Sequence, residues 1–316
     1  MTNHLSIVFP GQGSQSLGML SDVAEQFSEV ALTFEEASDA LGYDLWTLTQ
    51  IGPEERLNQT TFTQPALLAA SYAIWKIIQN RIHLQPVMLA GHSLGEYTAL
   101  VCANAITFTD AIKLVAARGQ LMQEAVAIGE GAMAAIIGLD DNIVATICRE
   151  AASSQVLSPA NFNSIGQVVI AGHREAVEKA IGIAKEKGAK MAVLIPVSVP
   201  SHCDLMREAA KHLANHLQSI SIRQPTISVV NNVDVTIYSS ADTIRDGLTR
   251  QLYSPVQWVK TIKFFMQSNI KKIIECGPGK VLSGLNKRID KSLQLMTTTN
   301  MSDLETLLNL ENEGSS

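Results

Sequence analysis

Short apolar runs alternate along the chain with longer segments whose apolar residues recur every three or four positions. Short runs rich in β-branched residues are typical of buried strands, and the longer periodic segments are typical of amphipathic helices. The short runs predict four strands: Leu5–Phe9, Pro86–Ala90, Thr226–Val230 and Lys272–Glu275. The longer segments predict helices over Gln64–Gln79, over Leu94–Ala105, and from an N-cap at Thr109 to about Val126. This alternation indicates an α/β fold.

The middle of the chain has its own order of predicted elements, which is strand, helix, strand, strand, helix, strand. In chain order they are Met133–Leu139, Asp141–Ala152, Gln155–Asn161, Gln167–Ala171, Arg174–Lys187 and Lys190–Val197. That order is typical of a ferredoxin-like unit. We therefore predict an insert over residues 128–198 within a larger α/β domain made of residues 1–127 and 199–316. The polar end, Glu311–Ser316, is expected to fray.

Composition narrows the class of protein. The 316 residues are 46% hydrophobic and 17% charged, and 24 Lys and Arg against 30 Asp and Glu give a net charge of −6. An acidic chain without a basic run disfavours nucleic acid as a partner. No apolar stretch approaches the roughly 18 residues that span a bilayer, and the N-terminus does not resemble a secretory signal. The cysteines are scattered, without metal-ligand spacing or the density of a disulfide scaffold. We expect a cytoplasmic, metal-free enzyme.

The strongest chemical signal is Gly91-His-Ser-Leu-Gly95, which lies between a predicted strand and a predicted helix. In this setting a G-x-S-x-G turn exposes the serine hydroxyl, and its glycines let the strand and the helix approach closely. The unpaired N–H groups of the helix N-terminus suit a developing oxyanion. The pattern predicts Ser93 as a nucleophile. The alternative is a chance strand–helix turn that contains a serine.

A serine nucleophile needs a base, and the chain offers seven histidines: His4, His83, His92, His173, His202, His212 and His216. His212 and His216 are one helical turn apart, which is more typical of a solvated face than of a site. His92 adjoins Ser93 and is expected to point away across the turn. His202 follows a predicted strand and precedes a helix, and a helix N-terminus disfavours the imidazolium form. We predict His202 as the base; the alternative is an ordinary polar loop histidine.

The turn Gly11–Gln15, after the first strand, offers backbone amides for an oxyanion. The amides of Gln12 and Leu94 would form a two-donor oxyanion hole. The alternative, a phosphate-binding loop, requires a third glycine and a lysine that this turn lacks. No nucleotide cofactor is therefore predicted.

Arg118 falls on the apolar stripe of its predicted helix, four residues after Leu114 and three before Leu121. Because an unpaired buried charge is costly, a guanidinium there either snorkels to solvent or binds an anion. An exposed arginine on a misassigned helix is the alternative. If Arg118 is buried, the acyl group that the site accepts should carry a carboxylate.

Six motifs, in order along nearly the whole chain, resemble those of the malonyl-CoA:acyl carrier protein transacylases of bacterial fatty acid synthesis. They are Phe9–Gln15, Gly91–Tyr97, Arg118–Met122, Asn161–Gly172, Pro200–His202 and Glu275–Gly279. One departure is Ile165, where proline is expected; the change would loosen a loop without touching a catalytic group.

The resemblance implies an α/β-hydrolase-like core with an inserted ferredoxin-like subdomain. It also implies ping-pong transfer of a malonyl group from malonyl-CoA to the pantetheine thiol of acyl carrier protein. Ser93 would be the nucleophile, His202 the base, and the amides of Gln12 and Leu94 the oxyanion hole. The expected partners are malonyl-CoA and acyl carrier protein, with no cofactor, metal, nucleic acid or membrane. A monomer is expected.

The remaining site residues also follow from the resemblance. Arg118 would hold the malonyl carboxylate. A backbone carbonyl at the position of Gln251, instead of an acid, would orient the histidine, and Asn163 would line the same cleft. Carrier proteins are acidic as a class, so docking on this acidic chain is expected to use a local basic group: Lys185, Lys187, Lys190, Lys280, Lys287 and Arg288.

Two other functions fit parts of the sequence. One is a serine hydrolase, either an esterase or a patatin-like lipase with a Ser–Asp dyad in which Asp246 would be the acid, although Asp246 falls in a predicted helix. The acceptor of the acyl group distinguishes the two classes, because a hydrolase transfers it to water and a transferase transfers it to a thiol. The other is a catalytically idle docking module of a larger synthase, which the presence of both Ser93 and His202 disfavours.

Overall fold

The computed structural model describes residues 4–197 and 199–313, in which strands and helices alternate. Before the middle unit the elements are β1 Leu5–Phe9, α1 Ser21–Ala24, α2 Ser28–Leu41, α3 Leu45–Ile51, α4 Glu54–Leu57, α5 Thr60–Ile82, β2 Met88–Gly91, α6 Leu94–Cys102 and α7 Phe108–Glu124. The middle unit contains β3 Gly131–Ile137, α8 Asp141–Ala152, β4 Leu157–Ser164, β5 Gln167–His173, α9 Arg174–Glu186 and β6 Met191–Leu194. After a 3₁₀ turn at Asp204–Met206 come α10 Arg207–Ser219, β7 Ser228–Val230, α11 Ala241–Gln251, α12 Trp258–Gln267, β8 Lys272–Glu275, α13 Val281–Ile289, β9 Gln294–Thr297 and α14 Met301–Glu313.

Five strands form a parallel sheet in the order β7-β2-β1-β8-β9. The central strand β1 pairs on both sides, with Ile7 opposite Leu89 of β2 and Ile274 of β8. Ile7 packs into the cluster that includes α5, α6 and α7, whereas Val8 packs into the cluster of α12 and α13 on the other face. Because both faces are covered, the buried positions of β1, β2 and β8 are mainly apolar, as is usual in parallel sheets.

Four strands form a separate antiparallel sheet in the order β4-β5-β3-β6. One face packs on α8 and α9 through residues such as Ile136 and Ile170. Met133 and Val169, on the other face, pack with Cys203 from the segment that leads into the 3₁₀ turn. The chain thus has a mixed α/β fold with a parallel sheet and a separate antiparallel sheet.

Several predicted elements need correction. The helix that carries Arg118 begins at Phe108, with Thr107 as the N-cap, and not after Thr109. The Thr107 side chain accepts a hydrogen bond from the amide of Asp110, so the cap lies two residues earlier than predicted. Six predicted strands end or begin elsewhere: β2 is Met88–Gly91, β3 is Gly131–Ile137, β4 is Leu157–Ser164, β5 is Gln167–His173, β6 is Met191–Leu194 and β7 is Ser228–Val230. Helix α14 continues through residues 311–313 of the predicted frayed tail, and residues 314–316 lie outside the described residues.

All four cysteines are buried as free thiols: Cys102, Cys148, Cys203 and Cys276. Burial raises the pKa of the Cys148 and Cys203 thiols to about 12. These thiols are therefore protonated at neutral pH and are poor nucleophiles. As for membranes, no helix among the described residues is long and apolar enough to cross one.

Candidate active site

Ser93 occupies a sharp turn between the end of β2 and the start of α6. Its φ of 52° is unusual for a residue with a side chain and marks a strained turn. A Cβ atom at Gly91 would lie 1.8 Å from the carbonyl carbon of Gly95, and one at Gly95 would lie 2.1 Å from the Phe9 oxygen. Only glycine fits at either position, so the two glycines of the motif permit the turn that carries Ser93.

His202 is placed to act as the base for Ser93. Its Nε2 lies 2.9 Å from Ser93 Oγ, and its Nδ1 lies 2.7 Å from the backbone oxygen of Gln251. Because a carbonyl oxygen can only accept, Nδ1 carries the proton and Nε2 is left to accept from the Ser93 hydroxyl. Burial, reinforced by the nearby Arg118 cation, lowers the pKa of His202 to about 3. The imidazole is therefore neutral at neutral pH, as a general base must be.

Arg118 is 1% exposed and lies directly behind Ser93. Its Nη2 donates to Ser93 Oγ at 3.1 Å and to Gln251 Oε1 at 3.0 Å, and its Nη1 donates to Gln64 Oε1 at 2.7 Å. Its guanidinium also lies over the ring of Tyr97, with 5.2 Å from Cζ to the ring centroid. Within the described residues no carboxylate contacts this cation directly. A buried cation held only by neutral groups is suited to receive an anion.

A cavity of about 190 Å³ opens above Ser93 and His202. Gln12 lines it from the turn after β1. Leu94 is the first residue of α6, so its N–H is one of the helix amides without an intrahelical acceptor. Much of the remaining wall is apolar and comes from the antiparallel sheet, the segment after β6 and α13: Met133, Val169, Ile195, Val197, Val199, Val281, Leu282 and Leu285.

Asn163 lines the same cavity and reaches it from β4 of the antiparallel sheet. Its Oδ1 lies 2.8 Å from Nε2 of His92. His92 was expected to point away from the site, but it lines the cavity beside Ser93 because β4 passes over the turn and offers it a partner. Ile165, at the tip of the hairpin between β4 and β5, is 60% exposed and does not line the cavity.

A buried polar network beneath Ser93 was not found from the sequence. Glu96, fully buried in α6, accepts hydrogen bonds from the amide of Asn232 at 3.0 Å, from Gln251 Nε2 at 2.9 Å and from the Tyr238 hydroxyl. Asn232 in turn accepts from the Ser93 amide at 2.7 Å and donates to the Gly91 carbonyl at 2.6 Å. Burial raises the pKa of Glu96 to about 7. The one signal in the sequence was a glutamate within an otherwise apolar helix.

The geometry contradicts the Ser–Asp dyad. Asp246 lies within α11, where its Oδ2 accepts from Arg250 Nε at 2.7 Å. The Ser93 hydroxyl contacts His202 and Arg118 instead. A patatin-like site at Asp246 is therefore wrong for this chain.

Comparisons with known proteins agree with this geometry. The family model described as the acyl transferase domain matches residues 7–304. The malonyl CoA-acyl carrier protein transacylase of Escherichia coli strain K12 is 58% identical over 91% of this chain and 93% of its own length. A crystal structure of an acyl carrier protein S-malonyltransferase from Vibrio cholerae is 56% identical, covers 96% of this chain and 99% of its own, and has a TM-score of 0.94.

A further similar structure is a malonyl-transacylase in complex with its type II PKS acyl-carrier protein. It is 54% identical, covers 97% of this chain and 99% of its own, and has a TM-score of 0.96. The family model and the relatives each cover more than nine-tenths of this chain. The chain therefore belongs to the acyl transferase family, within the malonyl CoA-acyl carrier protein transacylases.

Proposed function

We propose that this chain is an acyltransferase that moves a malonyl group from malonyl-CoA to the pantetheine thiol of acyl carrier protein, for fatty acid biosynthesis. The observation that carries the proposal is the placement of Ser93 Oγ, 2.9 Å from His202 Nε2 and 3.1 Å from Arg118 Nη2. One hydroxyl thus has a base on one side and a cation for the substrate carboxylate on the other.

In the first half-reaction Ser93 Oγ attacks the thioester carbonyl while His202 Nε2 takes the hydroxyl proton. The negative charge that develops on the carbonyl oxygen is stabilised by the amides of Gln12 and Leu94. The C–S bond then breaks, and the imidazolium returns its proton to the leaving CoA sulfur. The product is a malonyl ester on Ser93. The Gln251 carbonyl holds the histidine tautomer through Nδ1 at 2.7 Å.

In the second half-reaction the pantetheine thiol of the carrier protein gives its proton to His202 Nε2 and its sulfur attacks the ester. The C–O bond breaks, and the proton passes from His202 to Ser93 Oγ. The enzyme is thereby restored, and malonyl-carrier protein leaves. Attack by water at this stage would make the protein a hydrolase. The apolar lining of the cavity disfavours water there and so favours transfer to the thiol.

Arg118 supplies the preference for a carboxylate-bearing acyl group. A guanidinium can bind a carboxylate through two parallel hydrogen bonds, which a lysine does not reproduce. Its present partners around the turn are neutral oxygens of Gln64, Gln251 and Ser93. The malonyl carboxylate would exchange some of these neutral contacts for a charge-assisted pair.

The finer description of the fold is part of the proposal. We assign the parallel sheet and its helices to an α/β-hydrolase-like domain over residues 1–127 and 199–316. We assign residues 128–198 to a ferredoxin-like insert. The support is the β3-α8-β4-β5-α9-β6 order of the middle unit and its sheet order β4-β5-β3-β6. A cytoplasmic location, a monomeric state and the absence of a cofactor or metal remain predictions.

Intact-mass measurement after mixing with malonyl-CoA tests the function. The wild-type protein should gain the mass of one malonyl group, which should disappear when holo acyl carrier protein is added. The Ser93→Ala variant should gain nothing. An adduct that persists in Ser93→Ala, or that maps to Cys203 beside the base, would overturn the assignment. Loss of the adduct to water without a carrier protein would favour a hydrolase.

A further inference from the structure

Glu96 is a fully buried carboxylate to which the proposed reaction assigns no step. Its position is one helical turn below Ser93, in α6. Three donors converge on its two oxygens: the Tyr238 hydroxyl on Oε1, and the Asn232 amide and Gln251 Nε2 on Oε2. The donors come from three separate chain segments, so Glu96 joins α6 to the loop after β7, to Tyr238 and to α11.

One branch from Glu96 leads to His202. Gln251 is the last residue of α11, so its carbonyl oxygen is one of the acceptors that a helix leaves unpaired at its C-terminus. That oxygen accepts from His202 Nδ1. The Gln251 side chain is fixed by Glu96 through Nε2, which also donates to the Ser93 carbonyl at 2.9 Å. Its Oε1 then faces Arg118. Glu96 thus fixes the residue whose backbone orients the base.

The other branch leads to the turn that carries Ser93. The Asn232 amide is bonded to Glu96. The Asn232 side chain bonds both the Ser93 amide and the Gly91 carbonyl. Because the φ of Ser93 is strained, external contacts of this kind are needed to hold the turn. Both branches therefore help to fix the same distance, the 2.9 Å between Ser93 Oγ and His202 Nε2.

We infer that Glu96 is a positioning residue that aligns Ser93 with His202 from behind, through Asn232 on one side and Gln251 on the other. The inference rests on the proposed roles of Ser93 and His202. In many serine enzymes a carboxylate contacts the histidine directly. Here the Glu96 carboxylate does not contact His202. It accepts a hydrogen bond from the Gln251 side chain, and the Gln251 backbone carbonyl contacts His202.

The test is the rate at which a fluorophosphonate probe labels Ser93, because this reagent needs only an activated serine and no malonyl group. Glu96→Met keeps the size of the side chain and removes its acceptors, and it should slow labelling roughly 10- to 100-fold, by analogy with the loss seen when the hydrogen-bond partner behind a metal ligand is removed. Glu96→Gln can still accept from Asn232 and Gln251 and donate to the Tyr238 oxygen, so it should label within about threefold of wild type.

A double-mutant comparison separates alignment from folding. In a His202→Ala background there is no pair to align, so adding Glu96→Met should change labelling less than about threefold. Thr33→Val is the control for loss of a buried hydrogen bond: Thr33 is also fully buried and donates to the Glu29 carbonyl within α2, which does not line the cavity. At a temperature where Thr33→Val is folded, it should label at the wild-type rate.

Two results would overturn the inference: wild-type labelling by Glu96→Met, or an equal loss from Glu96→Met with and without His202. If Glu96→Met does not fold, Glu96→Asp decides, because a side chain one methylene shorter cannot reach Tyr238 and the Oε2 donors together and should slow labelling at a temperature where circular dichroism shows the variant folded. Labelling at the wild-type rate by a folded Glu96→Asp would also overturn it. A wild-type protein that labels but is never malonylated would refute the proposed function and leave the role of Glu96 standing.

Discussion

The two sheets contribute different kinds of groups to one cavity. The adjacent parallel strands β7, β2 and β1 are followed by Asn232, Ser93 and Gln12, so polar groups meet at their carboxyl ends. The antiparallel sheet contributes two apolar side chains, Met133 and Val169, and two amides, Asn161 and Asn163, and the segment after it adds further apolar side chains. Its Asn163 contacts the neighbour of the nucleophile and not the nucleophile itself.

This difference indicates a division of work between the two sheets. Carboxyl ends of parallel strands converge at one edge of a sheet, where loops bring reactive groups together. The apolar side chains of the antiparallel sheet and of the segment after β6 exclude water and shape the space without taking part in proton transfer. Substitutions on the parallel-sheet side should therefore affect bond making and breaking, and those on the antiparallel side should affect binding and transfer to the second substrate.

The largest effect is expected from His202→Ala. Removal of the base should slow malonylation of Ser93 by roughly 10⁴- to 10⁶-fold, with residual catalysis from the oxyanion hole and substrate binding. Rapid quench with radiolabelled malonyl-CoA measures the rate, and circular dichroism checks the fold. A loss below tenfold would show that another group takes the proton. It would also contradict the assignment of proton transfer to the groups that follow the parallel strands.

Arg118→Ala should cut malonyl transfer by about two to three powers of ten, since truncating one partner of a buried charge pair costs about 2–5 kcal/mol, at 1.4 kcal/mol per tenfold. Acetyl transfer should stay level or improve, and Arg118→Lys should recover little. The measurement is kcat/KM for both thioesters in all three proteins. An equal fall for malonyl and acetyl groups would mean that Arg118 supports the fold and not the carboxylate.

Glu96 should make the protein less stable as the pH rises. Because burial raises its pKa from 4.5 to about 7, the folded chain keeps a proton between these pH values that the unfolded chain has lost. Unfolding releases that proton, so this residue lowers the free energy of unfolding by about 3 kcal/mol from pH 4.5 to above 7. Urea unfolding at pH 5 and pH 7.5 should show this fall in wild type and a smaller one in Glu96→Gln. Equal falls in the two proteins would contradict it.

Asn163→Ala tests what the antiparallel sheet contributes to the reaction. The change removes the hydrogen bond to His92, and a net loss of about 1 kcal/mol corresponds to roughly a fivefold effect on kcat/KM for malonyl-CoA. The pH dependence of Ser93 malonylation should be unchanged, because Asn163 does not contact His202. A loss approaching that of His202→Ala would show that the antiparallel sheet takes part in the chemistry.

The smallest effect is expected from charge reversal in the proposed carrier-docking group. Lys187 is paired with Glu150, and Arg288 donates to Gln167, which leaves Lys185, Lys190, Lys280 and Lys287. Lys280 and Lys287 are the better targets, because they belong to α13 and its N-cap and α13 lines the cavity. Lys280→Glu and Lys287→Glu should each slow transfer to carrier protein by roughly threefold, more at low salt, and should leave malonylation from CoA unchanged.

Lys113→Glu, in α7, is the matched control for those reversals, since its charge change is the same and its helix packs on α5 and α2. An equal loss in both half-reactions would indicate an effect on CoA binding or on folding. If Lys113→Glu slows transfer to carrier protein as much as the other reversals do, the net charge of the chain, and not a local docking surface, explains the effect.

The sequence predicted residues whose chemistry depends on local context. Ser93 could be placed because a strand, a turn and a helix adjoin in sequence, and Arg118 could be placed because helical periodicity alone put it on a buried stripe. The parallel strands β1 and β8 were predicted with their observed bounds, since each has a short apolar centre, Ile7–Phe9 in β1 and Ile273–Ile274 in β8. Strand β9 was missed, because this edge strand is only partly buried and its pattern is weak.

The network behind Ser93 could not be predicted in the same way. Glu96 meets Asn232, Tyr238 and Gln251 across separations of 136 to 155 residues, and no periodicity reports such contacts. His92 was misplaced because its orientation is set by Asn163, 71 residues away, and not by the turn that contains it. Burial of polar groups is decided by tertiary contacts, which a single sequence does not display.

The four buried thiols have a practical consequence for spectroscopy. Since every native cysteine is enclosed and Cys203 keeps its proton by donating to the Pro200 carbonyl, thiol-directed dyes should leave the unmodified chain unlabelled. A single cysteine placed at the exposed tip residue Ile165 would then be the sole attachment point, without prior removal of the native ones. A fluorophore there, beyond the cavity wall, would give a distance-sensitive signal for the arrival of a labelled carrier protein while the native active site remains intact.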